Sequence, residues 1–225
     1  MACNVNKKDI KALVFLGTSI SIEEAKKILD IDYLPPIVRC DVKKAFENGY
    51  TIIGIVDGMF FNKTTVSHRE ILTGIKNGVT IIGGGSMGAL RASELAVHGM
   101  EGVGKIYHWY ADGTIEDDDE VAVSVNPETF ESMSNPMVNI RESLNKALRN
   151  SVIDEIVCEA VCRIAKETHY SERTYHWIIK QSVQKEVLSF ERGEILYKYC
   201  IEQGVDVKKE DAILVLNRVK EMLLD

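Results

Sequence analysis

Val79-Thr-Ile-Ile-Gly-Gly-Gly-Ser86-Met-Gly-Ala-Leu-Arg-Ala-Ser-Glu-Leu-Ala-Val-His98 is the stretch whose reading decides the fold. Its β-branched opening has the character of a buried strand. The small residues that follow force a tight turn around Ser86. A helix then begins at once, with Leu90, Ala92, Leu95 and Ala96 on one apolar face. Strand, glycine turn and helix form the setting in which α/β proteins place anion sites or nucleophiles.

Working outward, the same alternation recurs upstream. Ala12 to Gly17 is an unalternating apolar run, as expected of a parallel strand covered on both faces. Ser21-Ile-Glu-Glu24 is a capping box for a helix burying Ile22, Ala25, Ile28 and Leu29. Pro35-Pro36 leads into a short extended piece, Ile37 to Cys40, and Asp41 is placed to cap a helix that stops at Gly49. Tyr50 to Val56 is the clearest strand, and it ends in Asp57-Gly58. Ser67-His-Arg-Glu70 offers a second capping box, with a stop at Gly78. Four strand-like runs separated by helices predict a three-layer α/β domain with a mainly parallel sheet.

Downstream the texture changes. Lys105 to Tyr110 reads as extended, Asp112-Gly113 as a hairpin turn, and Val121 to Val125 as a further strand. The acid run Glu116 to Glu120 lies between them and is open to three readings: a solvated loop, a divalent-metal site or a contact for a basic partner. From about Pro136 the pattern is helical, giving a C-terminal helical appendage.

Composition excludes several classes. A net charge of −7 argues against a nucleic-acid surface, which needs a basic stripe. No apolar run approaches the roughly 20 residues needed to span a bilayer. The polar start, Met1 to Lys11, has no signal-peptide core, so a cytoplasmic protein is expected. The five cysteines (Cys3, Cys40, Cys158, Cys162 and Cys200) form no C-x-x-C pair. Cys158 and Cys162 share a helix face, for packing or for ligation. No metal and no cofactor is expected.

Gly83 to Gly88 satisfies two patterns. As G-x-G-x-x-G (Gly83, Gly85, Gly88) it resembles a dinucleotide fingerprint, although it falls in the wrong βα unit. As G-x-S-x-G (Gly84, Ser86, Gly88) it fits a nucleophile elbow. A plain serine cap in a glycine-rich turn is the third reading. Gly99-Met-Glu-Gly-Val-Gly-Lys105 has P-loop spacing but Ile106 where Ser or Thr belongs, and is rejected.

In a parallel sheet all strand C-termini share one edge, which would gather Asp57, Ser86 and His68. At a helix N-terminus an imidazole is kept neutral, as a base requires. Arg91, one turn into the focal helix, leans back toward Ser86 and suits a carboxylate or phosphate held there. Glu94 beside it is expected to pair with it. Exposed His68 and turn-forming Asp57 are the plainer alternatives.

Several ordered motifs resemble those of TfuA-like proteins. They include Asp32-Tyr-Leu-Pro-Pro36, Ile53-Gly-Ile-Val-Asp-Gly58, His68-Arg-Glu-Ile71 and Ser86-Met-Gly-Ala-Leu-Arg-Ala-Ser-Glu-Leu95. Glu116-Asp-Asp-Asp-Glu-Val-Ala-Val123 and Met137-Val-Asn-Ile-Arg141 continue the series. The likeness covers about residues 12–150, drawn as a TfuA-like core domain, with residues 151–225 as a helical C-terminal region. Thr18-Ser19 replaces the family's proline-containing turn, and Ser67 replaces an aromatic that often precedes the histidine.

The resemblance implies a role in YcaO-dependent thioamidation of peptide backbones. There YcaO uses ATP to activate the amide oxygen, and the TfuA-like partner recruits a sulfur donor. The implied donor is a thiocarboxylated ubiquitin-like carrier, hydrolysed to release sulfide. The implied target, reached through YcaO, is a peptide or the methyl-coenzyme M reductase α subunit. On this reading Ser86 is the nucleophile, His68 the base and Asp57 its orienter. The Met87 amide, within the Gly85–Met87 turn, and a Gly17–Thr18 amide would be oxyanion donors; Arg91, with Glu94 beside it, would hold a carrier carboxyl group. A non-catalytic adaptor that activates YcaO allosterically, and a nucleotide-binding protein, are the competing functions.

Overall fold

The structure, a computed structural model, describes residues 10–60 and 65–224; Cys3 and the polar start before Ile10 lie outside the described residues. The chain divides into two compact units. One holds the chain up to Asp112 together with the segment from Asp211 onward, and the other holds Gly113–Glu210. The division near residue 150 follows likeness to a family, whereas these units follow contacts.

The first unit carries five strands: β1 (Ala12–Phe15), β2 (Asp32–Leu34), β3 (Ile52–Ile55), β4 (Thr80–Gly83) and β5 (Glu101–Gly102). They pair in parallel in the order β2-β1-β3-β4-β5. Leu13, Ile53 and Ile81 stand in register and face one way with Phe15 and Ile55. Against that face pack Val42 and Ala45 of α2 (Asp41–Glu47), Ile71 of α3 (His68–Lys76) and Ala92 and Leu95 of α4 (Met87–Leu95). Ala12, Val14, Ile52 and Ile82 face the other way. They meet Ala25 of α1 (Ile22–Ile28) and Ala212, Val215, Leu216 and Val219 of α10 (Val207–Leu224). A parallel sheet needs cover on both faces, and the unalternating apolar strands reflect it. The fold is α/β, with helices following in the C-terminal part.

The local signals explain most boundaries. Ser21 and Ser67 accept hydrogen bonds from the amides of Glu24 and Glu70, as N-caps do. Gly49, Gly78 and Gly99 end helical turns with φ of +82°, +83° and +99°. Among the described residues no helix is long and apolar enough to cross a membrane.

Several expectations need correction. The second strand is Asp32–Leu34, not Ile37–Cys40, because Pro35 and Pro36 break the ladder and Ile37 makes only an isolated bridge to Gly58. Asp41 is the first residue of α2, whereas Cys40 (φ 73°) stands at its N-cap. Lys105 to Tyr110 is helical, within α5 (Lys105–Ala111), not extended. Its start is capped from afar: the buried Asp211 carboxylate accepts from the Lys105 and Ile106 amides at 2.9 and 2.8 Å. The same carboxylate lies where a Cβ on Gly104 (φ +93°) would fall, so the P-loop-like segment cradles a side chain of its own chain. Gly113 (φ +79°) follows the C-cap of α5 and turns no hairpin. Val121 to Val125 is not a strand; Val121 and Ala122 are buried after a 3₁₀ turn, and Val125 bridges singly to Ser132.

The second unit is built from α6 (Met137–Arg149), α7 (Glu155–Glu167), α8 (Tyr175–Gln184) and α9 (Phe190–Gln203). Met137, Ile140, Leu144, Val161, Ile164, Ile178 and Leu196 lie in its core. Cys158 packs in that core, and burial pushes its thiol up and that of Cys162 up to about 12.

The acid run belongs to this unit and is divided: Glu116, Asp117 and Asp118 are exposed, as in a solvated loop, whereas Asp119 and Glu120 are clasped by cations. Glu120, 3% exposed, receives a two-pronged bond from Arg141 at 3.0 and 2.9 Å and a third from Lys166 at 2.9 Å. The Arg173 guanidinium, on a side chain 1% exposed, donates to the Asp119 carboxylate at 2.7 Å and to the Asp119 carbonyl at 2.9 Å. Lys166 also pairs with Asp117 and Asp119.

Candidate functional site

All strand C-termini of the first unit open on one edge, and the residues singled out from sequence are distributed along it. After β1 come Gly17, Thr18 and Ser19; after β3 comes Asp57; after β4 comes Ser86.

Asp57 is 1% exposed and is spent on the turn beside it. Its carboxylate accepts from the Gly17 and Ser19 amides, both at 2.9 Å, and from the Thr18 and Ser19 hydroxyls, both at 2.6 Å. A buried carboxylate requires such saturation. Asp57 therefore builds the β1–α1 turn, and the Gly17 amide is committed to it.

Ser86 stands at the N-cap of α4, 2% exposed, with φ −145° and ψ −117°. Its carbonyl accepts from Ala89 and Leu90, but its hydroxyl makes no capping bond. The contrast with the chain's other serine caps is direct, since Ser21, Ser67 and Ser189 all use their hydroxyls to hold a third-position amide. The turn is built for close approach. A Cβ on Gly88 would lie 1.7 Å from the Ile55 carbonyl oxygen, and one on Gly83 would lie 2.1 Å from that of Gly88. Gly85 has φ +73°, which glycine adopts without strain. The Gly88 amide is used by Val56, at 3.1 Å. The Met87 amide begins the helix in front of Ser86, where a developing negative charge would be stabilised.

His68, Arg91 and Glu94 meet as a surface cluster. His68 Nε2 lies 2.7 Å from Glu94 Oε2, and Arg91 Nη1 donates to the same oxygen at 2.6 Å. Arg91 Nε donates to the Val66 carbonyl at 3.4 Å, and only 13% of its side chain is exposed. The ion pair expected between Arg91 and Glu94 is present. The carboxylate that faces His68 belongs to Glu94, which sequence reasoning placed beside Arg91 alone. No local signal marks that contact, because His68 and Glu94 are 26 residues apart and sit on different helices.

The structure thus brings together His68, Arg91 and Glu94, joins Gly17 and Thr18 to Asp57, and holds Gly85, Ser86 and Met87 in one turn. No hydrogen bond runs between Ser86 and His68, whose Nε2 faces Glu94. Among the described residues no grouping of His, Cys, Asp or Glu is suited to hold a metal ion.

Comparison with curated proteins finds no match. A protein-family model described as TfuA-like protein matches residues 57–174, a span that includes Asp57, His68, Ser86, Arg91, Glu94 and the acid run. On that match the chain belongs to the TfuA-like family.

Proposed function

We propose that this chain is a TfuA-like component of YcaO-dependent backbone thioamidation, and that it releases sulfide by hydrolysing a thiocarboxylated ubiquitin-like carrier. The carrying observation is the Ser86 hydroxyl, which sits on a glycine-lined turn at a helix start and leaves the capping role unfilled.

The chemistry balances as an acyl transfer. Ser86 Oγ attacks the thiocarboxyl carbon, its proton passes to a base, and the C–S bond breaks to release hydrogen sulfide. Water then hydrolyses the acyl-serine to the carrier carboxylate and free enzyme. A thiocarboxylate is anionic, so attack on it requires charge compensation. Arg91 would supply that charge and the Met87 amide would face the oxyanion. Glu94 takes the orienting role that the sequence gave to Asp57. A proton on Nε2 directed at Glu94 leaves Nδ1 of His68 as the basic nitrogen. YcaO, the carrier, and the peptide or methyl-coenzyme M reductase α subunit are the partners of this reading, and the setting is cytoplasmic.

One observation favours a second reading. His68 is bonded to Glu94 and not to Ser86, which suits an adaptor that binds carrier and YcaO without chemistry of its own. Sulfide release from carrier and purified protein, with and without YcaO, separates the two. Release without YcaO that is lost in Ser86→Ala and His68→Ala supports hydrolysis. Release at the native rate from both variants removes the site, and release only when YcaO is present favours the adaptor.

A further inference from the structure

Away from this site, α2 and α3 leave a groove of about 380 Å³ between them. Val42 and Phe46 of α2 and Gly74 of α3 are its apolar lining. A Cβ on Gly74 would lie 2.9 Å from a Val42 methyl, so glycine there is what lets the two helices close at its base. Phe46 lines the groove and is 39% exposed. The groove runs from Ser67, the N-cap of α3, to Asn77, its C-cap. That length is about 15 Å at 1.5 Å per residue, the span of roughly four to five extended residues.

Its charge is unbalanced in a chain that is acidic as a whole, at −7. Three cations line it: Arg39, Lys43 and Arg69. Lys43 is paired with Glu47 at 3.6 Å. The one acid in the wall, Glu70, is outnumbered by these cations, and its two oxygens are occupied by the Cys40 and Val42 amides, both at 2.9 Å. Neither Arg39 nor Arg69 forms an ion pair or a side-chain hydrogen bond with another described residue.

We infer that this groove docks a short acidic segment of a partner protein, one that seats an apolar side chain on Phe46 and places carboxylates against Arg39 and Arg69. An apolar strip that carries, at the end where both helices begin, two guanidiniums without a partner among the described residues fits an extended peptide with an acidic end and an apolar residue beyond it. The negative charge of the rest of the chain repels such a peptide elsewhere, so capture at this groove is selective. The inference does not depend on the role of Ser86.

The test uses the full chain and a fluorescein-labelled pool of hexapeptides made from Asp, Glu, Phe and Leu, with a matched pool in which Lys replaces the acids. Fluorescence polarisation is expected to show binding of the acidic pool only. The double variant Arg39→Glu/Arg69→Glu should weaken it at least about tenfold, and Arg39→Gln/Arg69→Gln by a smaller factor. Lys76→Glu, the charge reversal of a single cation on α3 outside the groove, should stay within about twofold, and Ser86→Ala should bind as the wild type. Cys40 lines the groove and is exposed, so bound acidic peptide should slow its alkylation by iodoacetamide, read by mass spectrometry of its peptide. Absence of binding, an equal loss with Lys76→Glu, or unprotected Cys40 would overturn the inference.

Discussion

Two turns on one sheet edge use the same kinds of residue to opposite ends. After β1, Thr18 and Ser19 put both hydroxyls on the buried Asp57 carboxylate, and Gly17 adds its amide. After β4, Ser86 stands at a helix start, yet its hydroxyl holds none of that helix's amides. The first turn is closed by its own hydrogen bonds. The second keeps a hydroxyl outside the bonding scheme of the fold, although the chain caps helices with serine elsewhere. A side chain that folding does not need is the one whose chemistry can be put to other use.

The largest effect expected from this contrast follows Asp57→Ala. It strands two amides and two hydroxyls in a buried turn, and urea unfolding should show a loss of about 3–5 kcal/mol. A loss under about 1 kcal/mol would mean that the first turn is not locked as described.

The acid run gives a second committed carboxylate to set against the uncommitted serine. Burial opposes the charged form of Asp119, but hydrogen bonds from Lys166 and Arg173 outweigh it and hold its pKa below the usual value of 3.8. Its folded-state pKa is therefore depressed, so its contribution is present above the unfolded value and is lost as pH falls through the folded one. Stability should fall below about pH 4, and that acid loss should shrink in Asp119→Asn. An unchanged acid profile in Asp119→Asn would contradict the clasp.

The smallest effects compare the two serine caps. Ser67→Ala should cost about 1 kcal/mol, because it removes a working cap. Ser86→Ala should move stability by no more than about 0.5 kcal/mol, since no cap is lost. Equal losses at both positions would erase the distinction between the turns.

What was legible in the sequence is what acts locally. Ser21 and Ser67 with the glutamates three residues on, the glycine stops at Gly49 and Gly78, and the strands β1, β3 and β4 read correctly, because each signal and its effect lie within a few residues. Errors gathered where the partner is distant. The start of α5 is set by Asp211, and Asp119 and Glu120 at the end of the acid run are held by Arg141, Lys166 and Arg173, so neither neighbourhood carries its own explanation. At the site the same rule holds. The turn around Ser86 was visible as a pattern, and Arg91 with Glu94 as a helical pair. That Asp57 serves Gly17 to Ser19, while Glu94 faces His68, depends on how strands and helices are brought together.

The central claim rests on Ser86, and one measurement meets it most directly: sulfide released from a thiocarboxylated carrier by the purified protein alone, wild type against Ser86→Ala. The account predicts release by the wild type and a rate at least about 100-fold lower in a variant of unchanged stability. Equal rates from the two proteins would contradict it.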